Sequence, residues 1–280
     1  MGGDIVRARV LILVENHSGY RQSLVGVHGF SAILDTGDNI ILIDTGPNAD
    51  VLLNNMEILG YDPKDIDYVI LTHGHYDHTG GLKGLIEARK RETIVIAHPD
   101  MFSDKFSIEG RRIRYIGIPF SREELVSLGA RFLLTRSSLK ITEGVIFSGE
   151  IPREHWTRTT GHVVVNGNLV EDPLLDDTSV ILELERGLVV ISGCGHSGLK
   201  NIVTHAKRLG KKPVMAIIGG YHLIDSKEDI LSDVVKFIKA EGIEKAFLGH
   251  CTGVKEIAWL KKHLNDVIEF IYAGRTIEFD

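Results

Sequence analysis

The chain has 280 residues, 43% of them hydrophobic and 25% charged, enough apolar material for a sizeable core and the usual size of one α/β layered unit. Its formal net charge of −6 argues against a dedicated nucleic-acid binder, which presents a basic surface to phosphates, but leaves room for one local basic pocket. Two cysteines, Cys194 and Cys251, are too few for a disulfide framework, and no stretch approaches the roughly 20 apolar residues that cross a bilayer, so the expectation is a reduced, cytoplasmic protein without membrane or nucleic-acid partners.

Residues 10–14 are β-rich and too short for a secretory leader. Residues 30–35 and 40–44 form two apolar runs around Thr36-Gly37-Asp38-Asn39, a hairpin signal. Helical spacing over 48–59 stops at Gly60, and a short strand over 66–71 leads straight into His73-Gly74-His75-Tyr76-Asp77-His78. A helix over about 79–91 and a strand over 93–97 follow. From 98 to 177 the pattern is least regular. It holds strand-like pieces near 131–134 and 145–147, and polar connections carrying Pro119, Pro152 and Pro173, lengths that suggest a lid over a site. Regularity returns with strands 178–184 and 188–192 turning at Arg186-Gly187, then helix 199–209, strand 214–218, helix 230–240, strand 245–248 and helix 254–264. The order of elements describes two similar halves, each a sheet with helices outside, packed sheet to sheet in a single four-layer α/β domain over 1–280, with 98–177 inserted.

The segment from His73 to His78 places four metal-ligand side chains in six residues. In extended chain, positions two apart point the same way, so His73 and His75 can grip one ion. The turn into a helix redirects Asp77 and His78 to a second point. Imidazoles and a carboxylate suit zinc or a similar borderline ion, and two close cations can share a hydroxide. Four such residues at a strand-to-helix turn are a poor fit to chance or to helix capping.

This Thr-His-Gly-His-Tyr-Asp-His run resembles the HxHxDH signature of the metallo-β-lactamase superfamily, and Leu42-Ile43-Asp44-Thr45-Gly46 resembles that family's earlier aspartate-glycine motif. The resemblance implies an αβ/βα sandwich of two mixed sheets with the metals at one edge, and a buried Asp44 orienting the metal-binding turn. Four further stretches, His28-Gly29-Phe30-Ser31, the run from Gly193 to Gly198, Gly219-Gly220-Tyr221-His222-Leu223 and Gly249-His250-Cys251-Thr252-Gly253, resemble one branch of it. That branch includes an archaeal dihydropterin ribofuranosylaminobenzene 5′-phosphate synthase of methanopterin biosynthesis and many metal-dependent hydrolases.

The resemblance also implies a third histidine for the first ion, a bridging carboxylate and a last histidine for the second. His250 ends the final strand of the pattern and suits the last position. Where relatives carry Gly-Asp, this chain has Gly193-Cys194, and a thiolate ligates zinc but bridges differently. Cys194 is thus either a ligand or a small buried hydrophobe. His196 is expected to complete the first site, with helix capping as its alternative. Asp176 and Asp177 stand where relatives often place the third histidine. His28 and Ser197 are expected behind the ligands or against substrate. His222, in a Gly-Gly turn, could ligate, donate a proton or meet substrate, and His17, His155, His162, His205 and His263 lack such settings.

The run from Gly193 to Gly198 also satisfies G-x-G-x-x-G, but its strand arrives by a hairpin and the next ends without an acidic residue, which weakens a dinucleotide site. The sequence therefore points to a hydrolase whose two zinc ions (manganese or ferrous iron being alternatives) activate hydroxide on a small substrate, phosphorylated or not. Asp77 would steer the nucleophile's proton and His222 would serve as acid. The alternatives are a condensing synthase of the pterin type and, more remotely, a di-iron redox protein, against which His75 argues. Arg111, Arg112 and Arg114 are a basic run that either meets a substrate phosphate or forms a solvated strand face. No oligomeric state follows from these features.

Overall fold

The computed structural model describes residues 8–20, 23–155, 157–158 and 160–280. The first half contains β1 (Ala8–Val14), β2 (Ser31–Asp35), β3 (Ile40–Ile43), α1 (Ala49–Ile58), β4 (Tyr68–Ile70), the one-turn α2 (Tyr76–Thr79), α3 (Leu82–Arg89) and β5 (Thr93–Ala97). The middle holds β6 (Lys105–Glu109), β7 (Arg112–Tyr115), α4 (Arg122–Ser127), β8 (Ala130–Leu134), β9 (Leu139–Thr142), β10 (Val145–Phe147), β11 (His162–Val165) and β12 (Asn168–Glu171). The second half runs through β13 (Ser179–Glu183), β14 (Leu188–Ser192), α5 (Leu199–Gly210), β15 (Val214–Gly219), α6 (Glu228–Glu241), β16 (Lys245–Leu248), α7 (Val254–Leu264), β17 (Ile268–Phe270) and β18 (Thr276–Phe279).

Two seven-stranded mixed sheets form the body, ordered β18-β1-β2-β3-β4-β5-β8 and β17-β16-β15-β14-β13-β10-β9. Period-two alternation explains how they pack. Ile41 and Ile43 of β3, with Val189 and Ile191 of β14, enter the cluster between the sheets. Leu42 faces the other way, onto Leu52 of α1 and Leu82 and Leu85 of α3. Leu188 and Val190 likewise turn outward to meet Ile202 of α5, Leu231 of α6 and Leu260 of α7. Strands buried on both faces between helices give the four layers of an αβ/βα sandwich.

The middle segment is far more regular than its sequence suggests. It adds β8 to the first sheet and β9 and β10 to the second. Its remaining strands form a separate four-stranded sheet, β12-β11-β6-β7. Every residue of β7 and β12 is exposed, so no alternation of apolar and polar residues marks them. The C-terminal strands β17 and β18 also escape the sequence reading. No helix among the described residues is long and apolar enough to cross a membrane.

Strands β3, β4 and β5 run parallel, as do β14, β15 and β16. Apart from the run from His28 to Ser31, which leads into β2, each motif singled out in the sequence follows the carboxyl end of one of these strands: Asp44 after β3, His73 to His78 after β4, Cys194 and His196 after β14, His222 after β15 and His250 after β16. Ligand sites in open α/β sheets gather at that edge, where the loops converge. The fold brings them together there.

Candidate metal centre

Asp44 anchors the site from behind. It is fully buried; Oδ1 accepts from the Thr72 backbone N–H at 2.7 Å, and Oδ2 faces the Thr72 hydroxyl at 2.7 Å and His78 Nδ1 at 2.7 Å. Fixing the proton on Nδ1 leaves Nε2 of His78 as a lone-pair donor facing the cluster. Gly193 packs directly against this arrangement: a Cβ there would lie 2.3 Å from Thr72 Oγ1, 2.5 Å from Asp44 Oδ2 and 2.8 Å from His78 Nδ1. Only hydrogen fits.

Around His78 Nε2 stand His250 Nε2 at 3.2 Å, Cys194 Sγ at 3.2 Å and Asp77 Oδ2 at 3.5 Å, while His250 Nε2 lies 3.4 Å from the same Asp77 oxygen. Donors bound at about 2.0–2.3 Å to one tetrahedral ion are separated by about 3.3–3.8 Å, so these four atoms have the spacing of one coordination shell. A second group joins His73, Cys194 and His196, with their donor atoms within 4.8 Å of one another. His75 adjoins it, its Nδ1 3.1 Å from His73 Nε2, and its ring is 5.3 Å from that of His196. Cys194 belongs to both groups, and with His222 and Cys251 to a third.

The donor chemistry fits cations. His75 Nε2 and both ring nitrogens of His196 are buried without a hydrogen-bond partner among the described residues. Burial pushes His75 down to about 4 and holds His73 and His196 well below the usual imidazole range, so their lone pairs stay available. His78 behaves oppositely: burial opposes its charge, but Asp77 and Asp44 outweigh that and push it up to about 10. A positive charge is what the two carboxylates select at this point. Burial raises the Cys194 thiol well above its usual range, and the neighbouring Cys251 adds to the rise.

Both carboxylate oxygens of Asp176 and one of Asp177 are engaged outside the cluster, while Asp177 Oδ1 is buried without a partner among the described residues. Asp176 accepts from the Gly74 N–H at 2.8 Å and from Lys105 at 2.9 Å; Asp177 accepts from the Ser197 N–H at 2.7 Å. Both brace the ligand-bearing turns. Ser197 is itself fully buried, its hydroxyl 3.2 Å from the Asp177 carbonyl and contacting Arg153, so it braces the turn that carries His196. His28, half exposed, puts Nε2 3.3 Å from Asp77 Oδ2 at the mouth. The His222 ring lies 4.5 Å from that of His196, tilted by 45°, with Nε2 3.0 Å from Thr160 Oγ1. Of the remaining histidines, His17, His155 and His263 are exposed and His205 bonds the Ser148 carbonyl, while His162 keeps a buried Nδ1 without a partner among the described residues. The sequence reading missed Glu15 and Asn16. Buried Glu15 accepts from the His250 N–H at 2.6 Å, and Asn16 Oδ1 lies 3.0 Å from His250 Nδ1, orienting that ring as Asp44 orients His78. A carboxylate ending the apolar run of β1 was their one sequence signal.

Two cavities meet at His196 and His222. One, about 160 Å³, is lined by the cluster residues together with His28, Ser107, Arg114 and Thr160. The other, about 470 Å³, opens on the α5–α6 side and is walled by Leu199, Tyr221, Leu223, Ile230 and Val234.

A family model described as the metallo-β-lactamase superfamily matches residues 24–250. The chain belongs to that superfamily. Among its relatives, the 7,8-dihydropterin-6-methyl-4-(β-D-ribofuranosyl)-aminobenzene-5′-phosphate synthase of Methanocaldococcus jannaschii is 32% identical, over 99% of this chain and 98% of the relative. A second, uncharacterised protein of the same organism is 33% identical over 96% of this chain and 99% of its own length. The crystal structure of Tm1679, a metal-dependent hydrolase of the β-lactamase superfamily, superposes with a TM-score of 0.84 at 29% identity, covering 98% of this chain and 99% of that one. Zinc-bound PqqB from Methylobacterium extorquens shares the fold at 12% identity and a TM-score of 0.60, with 96% and 99% covered. Membership accounts for the sandwich and for the ligand-type residues at its edge, and it supports an enzyme, in a superfamily that typically binds divalent metals.

Proposed function

We propose that this superfamily member is a dinuclear metal-dependent hydrolase of a small molecule. The carrying observation is the pair of donor groups that meet at Cys194, one spaced as a coordination shell and the other with its donor atoms within 4.8 Å of one another. In this reading His73, His75 and His196 hold one ion, Asp77, His78 and His250 hold the other, and Cys194 lies between them. Zinc suits this mixture of imidazole, thiolate and carboxylate, with manganese or ferrous iron as weaker fits to the thiolate. Two such cations supply Lewis acidity and a nucleophile made from water at neutral pH.

The chain's own residues do the rest. Asp44 and the pair Glu15 and Asn16 fix the His78 and His250 rings from behind. Asp77, whose Oδ2 faces His28, His78 and His250, is the carboxylate that would steer the proton of an attacking water. His222 lines both cavities and meets Thr160, which supports a role for it as the acid that would protonate a leaving group. Metal analysis of purified protein tests the core of the reading: about two equivalents are expected in the wild type and a loss of one or both in folded His73→Ala and His78→Ala. Unchanged metal content in both variants sinks it.

A second reading keeps the metals and makes the protein a condensing synthase. Full-length similarity to the M. jannaschii synthase favours it, as does the 470 Å³ chamber beside the cluster, which gives a second reactant room. Incubation with a dihydropterin pyrophosphate and a ribofuranosyl aminobenzene phosphate decides between them. A condensed product supports the synthase; its absence, with turnover of simple esters or phosphoesters, supports the hydrolase.

A further inference from the structure

We infer that Arg114, with Ser107 beside it, forms an anion-binding subsite that holds a phosphate or carboxylate of the substrate across the small cavity from the metal cluster. The inference rests on the cluster being the reactive centre and adds what its substrate must carry.

Strands β6 and β7 are antiparallel with Ser107 directly opposite Arg114, so both side chains leave the same face of the sheet. Both line the 160 Å³ cavity with His75, Asp77, Cys194, His196 and His250. Arg114 is the one lysine or arginine among those lining residues, in a protein whose net charge is −6. Neighbouring cations are already committed: Lys105 to Asp172 and Asp176, Arg153 to Ser197 and the Leu174 carbonyl, Arg158 to the Ile224 carbonyl. Among the described residues Arg114 makes no ion pair and no hydrogen bond, and its guanidinium lies 5.9 Å over the Tyr76 ring. That ring is a platform which holds the group without neutralising it.

The rest of the basic run separates from Arg114. Arg112 pairs across the strands with Glu109 and does not line the cavity. A guanidinium left unpaired at the mouth of a site binds planar or tetrahedral oxyanions through its fork of N–H donors, and Ser107 and Thr160 offer hydroxyls to the remaining oxygens.

The test is calorimetric titration of inorganic phosphate into metal-loaded wild type, Arg114→Ala, Arg114→Lys and His78→Ala, with metal content measured on each. Loss of one charge-assisted contact should weaken phosphate about ten- to a hundredfold in Arg114→Ala at unchanged metal content. Arg114→Lys should recover part of the loss, and its folding on an exposed strand is not at issue. If phosphate binds Arg114→Ala as it binds wild type, or does not bind wild type at millimolar concentration, the subsite is wrong. Binding lost only in His78→Ala places the anion on the metals and also overturns it. Metal content of His78→Ala reports separately on the metal reading, so the two failures are told apart.

Discussion

Replacing Asp44 with asparagine preserves size and removes one charge from a position that makes three contacts of 2.7 Å, all buried. One carboxamide atom remains an acceptor and the other becomes a donor. If the oxygen keeps the Thr72 N–H, the new NH₂ faces the Nδ1–H of His78, donor against donor. His78 can escape only by moving its proton to Nε2, the atom that points at His250, Cys194 and Asp77. That tautomer has no lone pair for a cation. Loss of a charge-assisted bond plus one buried unmatched donor should lower unfolding free energy by about 2–4 kcal/mol. The ion held by His78 should bind about 10–100-fold more weakly, the usual effect of losing the partner of a ligating imidazole. Competition with a chromogenic chelator reads the affinity, and urea unfolding in excess chelator reads the metal-free stability. If Asp44→Asn binds its second equivalent within about threefold of wild type, His78 is not oriented by Asp44 as described.

Lys105 sits buried with Nζ 2.7 Å from Asp172 and 2.9 Å from Asp176, so Lys105→Met should destabilise the fold by about 3–5 kcal/mol in chemical unfolding at pH 7. Burial opposes the Lys105 charge, but Asp176 and Asp172 raise its pKa above the ordinary value; the stabilisation is therefore complete below the unfolded pKa of about 10.4 and is lost as pH rises through the higher folded one. A wild-type-to-variant gap that has already closed at pH 8 would contradict this. Gly193→Ala, which drives a methyl into Thr72, Asp44 and His78, should cost at least about 1–3 kcal/mol and reduce metal content, both measurable on one preparation. His222→Asn should lower turnover about 10²–10⁴-fold with metal content intact and flatten one limb of the pH–rate profile, as removal of a general acid does. Chelator dialysis should lower the thermal midpoint, because zinc at about a thousand times its dissociation constant adds about 4 kcal/mol to the folded state; calorimetry before and after restoring zinc checks it.

The cluster was legible in the sequence because its ligand-type residues come in short runs at the ends of apolar strands. His73, His75, Asp77 and His78 lie within one turn, and Cys194, His196 and His250 each follow a strand whose apolar run announces where it stops. What could not be read was adjacency across the chain. Glu15 meets His250 over 235 residues, and Lys105 reaches Asp176 over 71, contacts that exist only because both sheets close on one edge. Asp176 and Asp177 stood as alternative ligands for the same reason: their position in the chain suits a metal, while their hydrogen bonds go to Gly74, Lys105 and Ser197. The four-stranded sheet over 105–171 was hidden because β7 and β12 bury nothing on either face, so no period betrays them. Its Arg114 was visible only as part of a charge run.

Three residues with side chains take left-handed backbone at this edge: Asp44 at φ 56°, His222 at 45° and His250 at 47°. Such positions cost about 1–3 kcal/mol each where glycine is not used, and they persist only when the surroundings over-determine them. Here each follows a parallel strand pinned in the core, β3, β15 and β16, and each side chain is then caught, by Thr72 and His78, by Thr160, or by Asn16. A glycine in any of the three would relax the backbone and lose the side chain that the site needs. The opposite holds at Gly193, where room is lacking and the side chain is omitted. Strain and omission thus serve one geometry: imidazoles and carboxylates crowd the edge at which the parallel strands of both sheets end, and the unpartnered nitrogens of His75 and His196 are ones that a bound cation would satisfy.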